Sequence, residues 1–387
     1  LFAYDKWWPQ DPVDRSIVVL PFQNLSNDPE QEYFSDGIAE DTLDLLAGIQ
    51  SFKVIAWTTA RTYRDRAVDI ATVASELNVS HVLEGSVRKS GNRVRIMVQL
   101  INGADNTHVW SQPFDRELTA DNIFEVQKEI ATTIAARLRT TLTDEERERL
   151  EKVPTHNLEA YSAYLKAKQG IARSTTESLL DAAEFLRKAI ELDPKYAEAH
   201  AALAETYWNY EAMTFGKLPE GVTKETAGSL ISRALELDPG NGFSHAMRGK
   251  WLASKGDPGA ELEFNRALEL SPNNPDVYLL YGRFIEDRVQ KFEMYRQGLQ
   301  LDPMSPRLNS SMGSGMLWSG QPDEAVKYYT RVIESDPESV AGYWGRGVVN
   351  WWFTGRLDEA MRWFRTGFSK DPGDVNNGAL IGWTYLW

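Results

Sequence analysis

The sequence predicts two parts of different fold class, an α+β domain over residues 16–142 and an all-α array of helix pairs from residue 157 onward. Short apolar strands that alternate with helical segments indicate the α+β domain. The array is indicated by prolines that each close a helical stretch at intervals of 45, 33, 31, 34 and 35 residues, and a period near 34 is typical of stacked helix pairs. These prolines are Pro194, Pro239, Pro272, Pro303, Pro337 and Pro372.

The elements of the first part follow from the spacing of its apolar residues. A short apolar run closed by proline predicts a strand that is buried on both faces, and Pro113 indicates that the last strand lies at an edge. We expect a mixed sheet with helices on one side. The predicted elements are a strand at 16–22, a helix at 33–49, a strand at 52–57, a helix at 70–77, a hairpin of 82–88 and 94–101 around Gly91-Asn92, a strand at 107–114 and a helix at 123–138.

Four blocks of this first part carry a family resemblance: SIVVLPFQNLS at 16–26, EYFSDGIAEDTLDLL at 32–46, VLEGSVRKSGNRVRIMVQLI at 82–101 and HVWSQPFDREL at 108–118. They resemble the TolB amino-terminal-like domain of bacterial membrane-anchored adenylate or guanylate cyclases and winged-helix transcriptional regulators with carboxyl-terminal repeats. In such relatives a cytoplasmic output domain precedes one membrane helix. The resemblance implies a periplasmic position at the inner membrane, with a cytoplasmic position as the alternative.

The two chain ends are expected to be cut from a longer protein, because the chain does not begin with Met and ends within an apolar helical pattern at 383–387. Residues 1–15 place aromatic side chains beside Lys6, which is typical of the point where a membrane helix leaves the bilayer. They are therefore predicted to be a juxtamembrane lead-in, tethered through a helix that precedes Leu1. An ordinary flexible lead-in is the alternative.

Composition narrows the classes of function. Hydrophobic and charged fractions of 42% and 25% are typical of a soluble globular protein. The net charge of −14 disfavours a nucleic-acid ligand, which requires a basic face, so no direct nucleic-acid binding is predicted. Two interpretations of the acidity stay open: a solvated surface, or a surface that suits a basic or neutral polypeptide.

No catalytic residue, metal site or cofactor is predicted. Cysteine is absent and the five histidines show no ligand spacing. The carboxylates of Asp36, Glu40 and Asp41 lie close in sequence, but general acid–base work requires carboxylates in different environments beside a cleft, and no such pair is evident. Asp36-Gly37 is instead predicted to cap the start of a helix.

The second part begins after a charged segment, 143–156, that is predicted to be a helical linker. In each repeat the second helix carries Ala, an aromatic residue and a small residue at fixed spacing, so that the two helices pack closely. This pattern resembles the tetratricopeptide repeat family and predicts six repeats plus a partial seventh from Gly373, with an insertion around Phe215 to Val222. Examples are Ala260-Phe264-Ala267, Ala325-Tyr329-Val332 and Ala360-Phe364-Gly367.

The tetratricopeptide resemblance implies that the first helix of each repeat lines a concave inner face, where peptides bind. Among the first-helix residues, Trp318, Trp352 and Phe353 are predicted to contribute most to peptide binding. The alternative is that further repeats bury these three side chains. Trp344, Trp351 and Phe364 are predicted to be core instead. The predicted groove residues are Glu198, Glu205, Trp208, Asn209, Phe243, Lys250, Asp276, Leu279, Arg283, Arg307, Ser310, Ser314, Trp318, Val349, Trp352 and Phe353.

The predicted function is a non-catalytic protein–protein interaction or sensor region of a bacterial membrane-anchored signalling protein, with a peptide or protein as ligand. The alternatives are the regulatory segment of a nucleotide cyclase, the periplasmic part of a winged-helix transcriptional regulator, and a free-standing adaptor. The segment itself is predicted not to be an enzyme, while the activity of the full-length protein and a homodimeric state are left open.

Overall fold

The computed structural model describes residues 15–26, 28–64, 66, 68–214, 216–372 and 381. The lead-in, Phe215 of the insertion, the partial seventh repeat apart from Ile381, and the last tryptophans, Trp383 and Trp387, lie outside the described residues.

The first part is built on one mixed sheet. Its strand order is β3-β1-β4-β5-β6, with β2 beside β4. Strands β1 to β4 pair in parallel, whereas β4, β5 and β6 form an antiparallel meander. The strands are β1 (Ser16–Val19), β2 (Gln23–Asn24), β3 (Lys53–Ile55), β4 (His81–Ser90), β5 (Arg93–Asn102) and β6 (His108–Glu117).

Helices cover both faces of this sheet. The helices are α1 (Glu32–Ala47), α2 (Trp57–Ala60), α3 (Ile70–Leu77) and α4 (Ala120–Arg137). Successive strand residues point to opposite faces. Ile17 and Val19 therefore pack with α1 and α4, whereas Val18 packs with residues of α3. The predicted α+β class with a mixed sheet is confirmed, and the small helix α3 adds a second covered face.

The predicted hairpin and edge are confirmed. Strands β4 and β5 join through Gly91 and Asn92, and Gly91 has φ +58°, a value that suits glycine in a tight turn. Strand β6 ends the sheet, so Pro113 can lack an N–H without breaking a central ladder.

The predicted cap at Asp36-Gly37 is wrong. Helix α1 begins at Glu32, behind a 3₁₀ turn capped by Asp28, so Asp36 lies inside the helix, where its carboxylate pairs with Arg64. A Cβ on Gly37 would lie 2.5 Å from the methyl carbons of Leu165 in the first repeat. Gly37 therefore allows close packing of α1 on the array.

A short charged helix, α5 (Asp144–Glu151), starts from a capping box of Thr143 and Glu146 and precedes the array. Six helix pairs follow: α6 (Leu158–Arg173) and α7 (Thr176–Leu192), α8 (Ala197–Met213) and α9 (Lys224–Leu237), α10 (Gly242–Ser254) and α11 (Ala260–Leu270), α12 (Pro275–Phe284) and α13 (Arg288–Leu301), α14 (Pro306–Trp318) and α15 (Pro322–Ser335), and α16 (Val340–Val348), extended by a π-helical segment (Val349–Thr354), and α17 (Leu357–Lys370). Every second helix ends two residues before its predicted proline.

The repeat packing follows the predicted pattern. Phe264 and Phe364 are fully buried against small residues of the same helix pair. Glycines of the first helices let these rings approach, since a Cβ on Gly347 would lie 2.2 Å from the Phe364 ring. Among the described residues, no helix is both long and apolar enough to span a bilayer.

The α+β domain is tied to the ends of several repeats. The Ala56 N–H donates to the Leu301 carbonyl at 2.8 Å, and the Thr59 hydroxyl donates to the Asp302 carboxylate at 2.6 Å. One repeat earlier, the Asn273 side-chain amide donates to the Ala47 carbonyl at 3.1 Å.

The linker adds two more of these ties. Arg149 donates to the Leu270 carbonyl at 2.9 Å, and Lys152 pairs with Asp238. The domain and its linker thus contact the turns after the second, third and fourth repeats.

The same domain also packs on the first helix of the array. The Lys168 ammonium of α6 lies 3.1 Å from Glu40, 3.4 Å from Asp41 and 3.7 Å from Asp44, all on α1. The Tyr161 hydroxyl donates to Asp41 at 2.5 Å. A solenoid needs a cover for its first repeat, and α1 supplies it here.

Candidate functional site

The first helices of the second to fifth repeats bring six of the predicted groove residues into one cluster, which we call the inner-face cluster: Glu205, Trp208, Lys250, Asp276, Arg283 and Arg307. They come from α8, α10, α12 and α14, and face one another because consecutive first helices line the inner side of a curved array.

Arg307 is the centre of this cluster. Its guanidinium lies 2.9 Å from the Glu205 carboxylate and 3.0 Å from the Asp276 carboxylate. Glu205 belongs to the second repeat and Arg307 to the fifth, so this ion pair crosses the inner face. A chain that entered the groove lengthwise would meet this bridge.

Lys250 lies beside the bridge without a carboxylate of its own. Its ammonium is 4.3 Å from the centre of the Trp208 ring, a cation–π contact. Burial, followed by repulsion from Arg307 and Arg283, lowers the pKa of Lys250 to about 8. Trp208 is itself buried, so its ring acts as a fixed platform.

Arg283 is the second cation of this kind. Its guanidinium donates to the Ser311 hydroxyl at 3.3 Å. The side chain is exposed at its tip. Desolvation by the surrounding helices, followed by repulsion from Arg307, lowers the pKa of Arg283 to about 10. Among the described carboxylates, none lies within ion-pairing distance of Lys250 or Arg283.

A second surface lies where the first helices of the fifth and sixth repeats end. We call Trp318, Trp352 and Phe353 the aromatic shelf; they are 62%, 49% and 41% exposed. The rings of Trp318 and Trp352 are 5.3 Å apart, and Trp351 continues the contact at 5.5 Å into the core. The π-helical segment carries Trp352 and Phe353, and such segments are frequent at functional sites.

Four other predicted groove residues belong to the packing of the repeats. Leu279 and Val349 are buried within repeat cores, so their assignment to the groove is wrong. Phe243 packs against the core of the third repeat, and the Ser314 hydroxyl lies 3.1 Å from that of Tyr329.

Glu198, Asn209 and Ser310 are partly buried, and only Glu198 has a distinctive environment. Burial, followed by repulsion from Asp238 and Asp41, raises the pKa of Glu198 to about 7. Glu198 therefore belongs to the junction with the α+β domain.

The predicted core tryptophans, Trp344 and Trp351, are partly buried against a cluster that contains the fully buried Phe364, as expected. Lys168 was missed by sequence reasoning. A signal for it existed, because Glu40 and Asp44 lie one helical turn apart and with Asp41 form an acidic face that requires a cation.

Comparison with known families and proteins agrees with this division. Residues 13–133 match the family of the second domain of HilA/YgeH-like transcriptional regulators, and residues 319–375 match the tetratricopeptide repeat family. The first match does not carry the TolB-like description, which stays a prediction.

Two relatives cover much of the chain. A protein of Rhizobium meliloti (strain 1021) that bears the name of an adenylate cyclase, number 3, is 37% identical over 254 residues, which is 63% of this chain and 42% of the relative. The transcriptional regulator HilA of Salmonella typhimurium is 19% identical over 355 residues, 91% of this chain and 56% of the relative. The chain thus spans about half the length of these relatives.

Among solved structures, the Cut9–Hcn1 hetero-tetramer of the APC/C is 16% identical, with a TM-score of 0.43 over 70% of this chain and 61% of that chain. The tetratricopeptide protein YrrB is 19% identical, with a TM-score of 0.31 over 51% of this chain and 98% of that chain. The two family matches and the observed helices describe the chain as an α+β domain, similar to the second domain of HilA/YgeH-like regulators, followed by an array of tetratricopeptide-type repeats.

Proposed function

We propose that the chain is a non-catalytic interaction region of a bacterial signalling or regulatory protein, and that it binds a peptide or protein on the inner-face cluster and the aromatic shelf. The observation that carries the proposal is the shelf, where two tryptophans and a phenylalanine are in ring contact or adjacent and yet exposed. Exposed aromatic patches mark interaction surfaces, and tryptophan is enriched at hot spots.

The central cation of the inner-face cluster has a structural role. Arg307 is held by two carboxylates from two other repeats. Because a group that is fixed in ion pairs does not exchange protons with a substrate, we assign Arg307 to holding the first helices in position.

The experiment compares the chain with its Trp318→Ala/Trp352→Ala variant in pull-downs from bacterial extract, followed by identification and repeat binding with the purified partner. The double variant is expected not to retain the proteins that bind to the parent chain. The control, Leu180→Ala/Leu262→Ala, removes two exposed apolar side chains from second helices and is expected to retain them. Equal retention by both variants would remove the shelf from the proposal.

The full-length protein is proposed to couple this region to a nucleotide cyclase or a DNA-binding domain, and the names of the two relatives favour these two outputs. The sequence encoded upstream of Leu1 separates them. A further proposal, which rests on the TolB-like resemblance, is a membrane tether with this region in the periplasm. Alkaline phosphatase fused to the carboxyl end of the full-length protein tests this proposal, because the phosphatase is active only in the periplasm. A homodimer is tested separately, by sedimentation of the purified chain.

A further inference from the structure

We propose that a cleft between the α+β domain and the first helix pair binds a small zwitterion, with the size and charge pattern of an α-amino acid that carries an apolar side chain. The cleft shares no residue with the inner-face cluster or the aromatic shelf, so the proposal goes beyond the peptide-binding function.

The position of the cleft follows from how the array begins. In a solenoid, the first repeat has one face that a preceding repeat would cover. Helix α1 covers part of that face, and a cleft of about 350 Å³ stays open beside it. The start of α1 and the 3₁₀ turn before it supply one wall, while α6 and α7 supply the rest. Junctions between domains are frequent positions of small-molecule sites, whose volumes run from about 300 to 1,000 Å³.

The floor of the cleft is rigid because α6 and α7 touch there. A Cβ on Gly170 would lie 2.7 Å from the Ser178 carbonyl oxygen and 3.0 Å from the Cβ of Ala182. The Ser178 hydroxyl also donates to the Gly170 carbonyl at 2.9 Å. All three residues are small and buried, which leaves room for a ligand above them.

The wall from the α+β domain is also held in place. The Gln31 side-chain amide donates to the Asp28 carboxylate at 3.1 Å, and its carbonyl oxygen accepts from the Lys89 ammonium at 3.1 Å. A site with fixed walls loses little conformational freedom when it binds, which favours a small ligand that makes few contacts.

Two aromatic rings and a cation meet at one end of the cleft. The Lys166 ammonium lies 5.3 Å from the centre of the Tyr33 ring and 5.7 Å from the centre of the Phe185 ring. Phe185 is 38% exposed, so part of its ring is open to a ligand. This end therefore offers an apolar surface next to a positive charge.

Charges of both signs line the same cleft. The cations are Lys166 and Arg173, both on α6. The carboxylates are those of Glu30, in the 3₁₀ turn, and Asp181, on α7. In the part of the chain that the structure describes, none of the four takes part in an ion pair. A dianion would meet the two carboxylates and a diamine the two cations, so a ligand with one charge of each sign suits the cleft best.

The spacing of these groups selects an α-amino acid. Asp181 and Phe185 are four residues apart on α7, which places them one turn apart on the same side of the helix. Because Lys166 lies at the Phe185 ring, the two charges are expected about one helical turn apart, or about 5.4 Å. An α-amino acid carries its ammonium and carboxylate on one carbon, so it can reach Asp181 and Lys166 together while its side chain contacts the rings.

The test is isothermal titration calorimetry of the purified chain with each standard α-amino acid, and with putrescine and succinate as a diamine and a dianion. At least one amino acid with an apolar side chain is expected to bind with a Kd of about 1 mM or tighter. The proposal is refuted if no amino acid binds, if only polar ones bind, or if putrescine or succinate binds more tightly than all of them.

Variants then test the two charge contacts with the amino acid that binds most tightly. Asp181→Asn and Lys166→Gln are each expected to weaken binding about tenfold or more, since each removes a hydrogen bond between charged groups. The control, Lys188→Gln/Glu191→Gln, removes the same two charges from an exposed pair elsewhere on α7 and is expected to bind like the parent chain. Thermal unfolding checks that all variants fold, and parent-like affinity in either cleft variant would refute the site.

Modified ligands show which charge each residue binds. N-acetylation removes the ammonium of the amino acid, and amidation removes its carboxylate. Asp181→Asn is expected to leave the affinity for the acetylated form unchanged, and Lys166→Gln that for the amidated form, because the lost contact was already absent. Ligand-observed nuclear magnetic resonance measures these weaker affinities. If a variant weakens the modified ligand as much as the free amino acid, that residue does not bind the charge assigned to it and the zwitterion site is refuted.

Discussion

The Asp371 carboxylate accepts two hydrogen bonds from Thr176, one from the backbone N–H and one from the side-chain hydroxyl, each 3.0 Å long, across 195 positions of sequence. Thr176 begins the second helix of the first repeat, and Asp371 comes directly after the last described repeat. The array therefore completes a turn and contacts itself.

Breaking this contact is expected to destabilise the sixth repeat. Asp371 is buried, and a hydrogen bond to a charged group contributes about 1.5–3 kcal/mol. Asp371→Ala should lower the free energy of unfolding by about 2 kcal/mol and speed amide exchange in α17 and α7. Thr176→Val, which removes only the hydroxyl bond, should have a smaller effect in the same urea titration, and a larger one would contradict this assignment.

Asp302 is expected to make stability fall as pH rises through about 6. Burial, its largest influence, raises the pKa of Asp302 to about 6 in the folded chain. The ordinary carboxyl pKa is near 4, so between pH 4 and pH 6 the folded state binds more protons than the unfolded state. The stability that protonated Asp302 contributes is therefore fully present below pH 4 and is lost above pH 6. Asp302→Asn should flatten the difference in unfolding free energy between pH 5 and 7, and a variant with unchanged slope would refute the link.

Lys250 is expected to act in the opposite direction, at higher pH. Its folded-state pKa of about 8 is depressed, so the unfolded chain binds more protons between pH 8 and 10.5 and stability rises over that window. Lys250→Met keeps the apolar stem and removes the charge, and should stabilise the chain at pH 7 by about 1 kcal/mol. Chemical denaturation at pH 7 and 9.5 should show the gain shrinking with pH; a loss of stability at pH 7 would contradict the prediction.

Gly347, in the first helix of the sixth repeat, is expected to be required for packing. A Cβ at position 347 would lie 2.2 Å from the buried Phe364 ring, whereas one at Gly249 would lie 3.1 Å from Phe264. Gly347→Ala should therefore cost about 2–3 kcal/mol by overpacking. Gly249→Ala is the matched control in thermal unfolding, and equal losses in the two variants would show that contact distance is not the cause.

Periodic features were predictable from sequence and local interruptions were not. Proline cannot continue a helix, so the six second helices end where the period placed them. Lys250, Arg283 and Arg307 were placed on the inner face by repeat position alone. Leu279 and Val349 were placed on the inner face by the same rule, but their side chains are buried in repeat cores. Neighbouring helical residues differ by about 100° around the helix axis, so repeat position alone does not separate a groove residue from a core residue.

Contacts between residues far apart in sequence leave no periodic pattern from which they could be predicted. Thr59 with Asp302 and Thr176 with Asp371 are single polar pairs that lie 243 and 195 positions apart. Their partners are set by how far the array curves, which depends on small rotations summed over all repeats. The pairing of Lys168 with α1 was equally invisible, although its acidic half could be seen.

The contacts of the α+β domain and its linker with three successive turns of the array have a mechanical consequence. Lys152 of the linker holds the turn after the second repeat, and the domain itself holds Asn273 and Asp302 in the next two turns. A force that separates these repeats must therefore either break these contacts or displace the α+β domain and its linker.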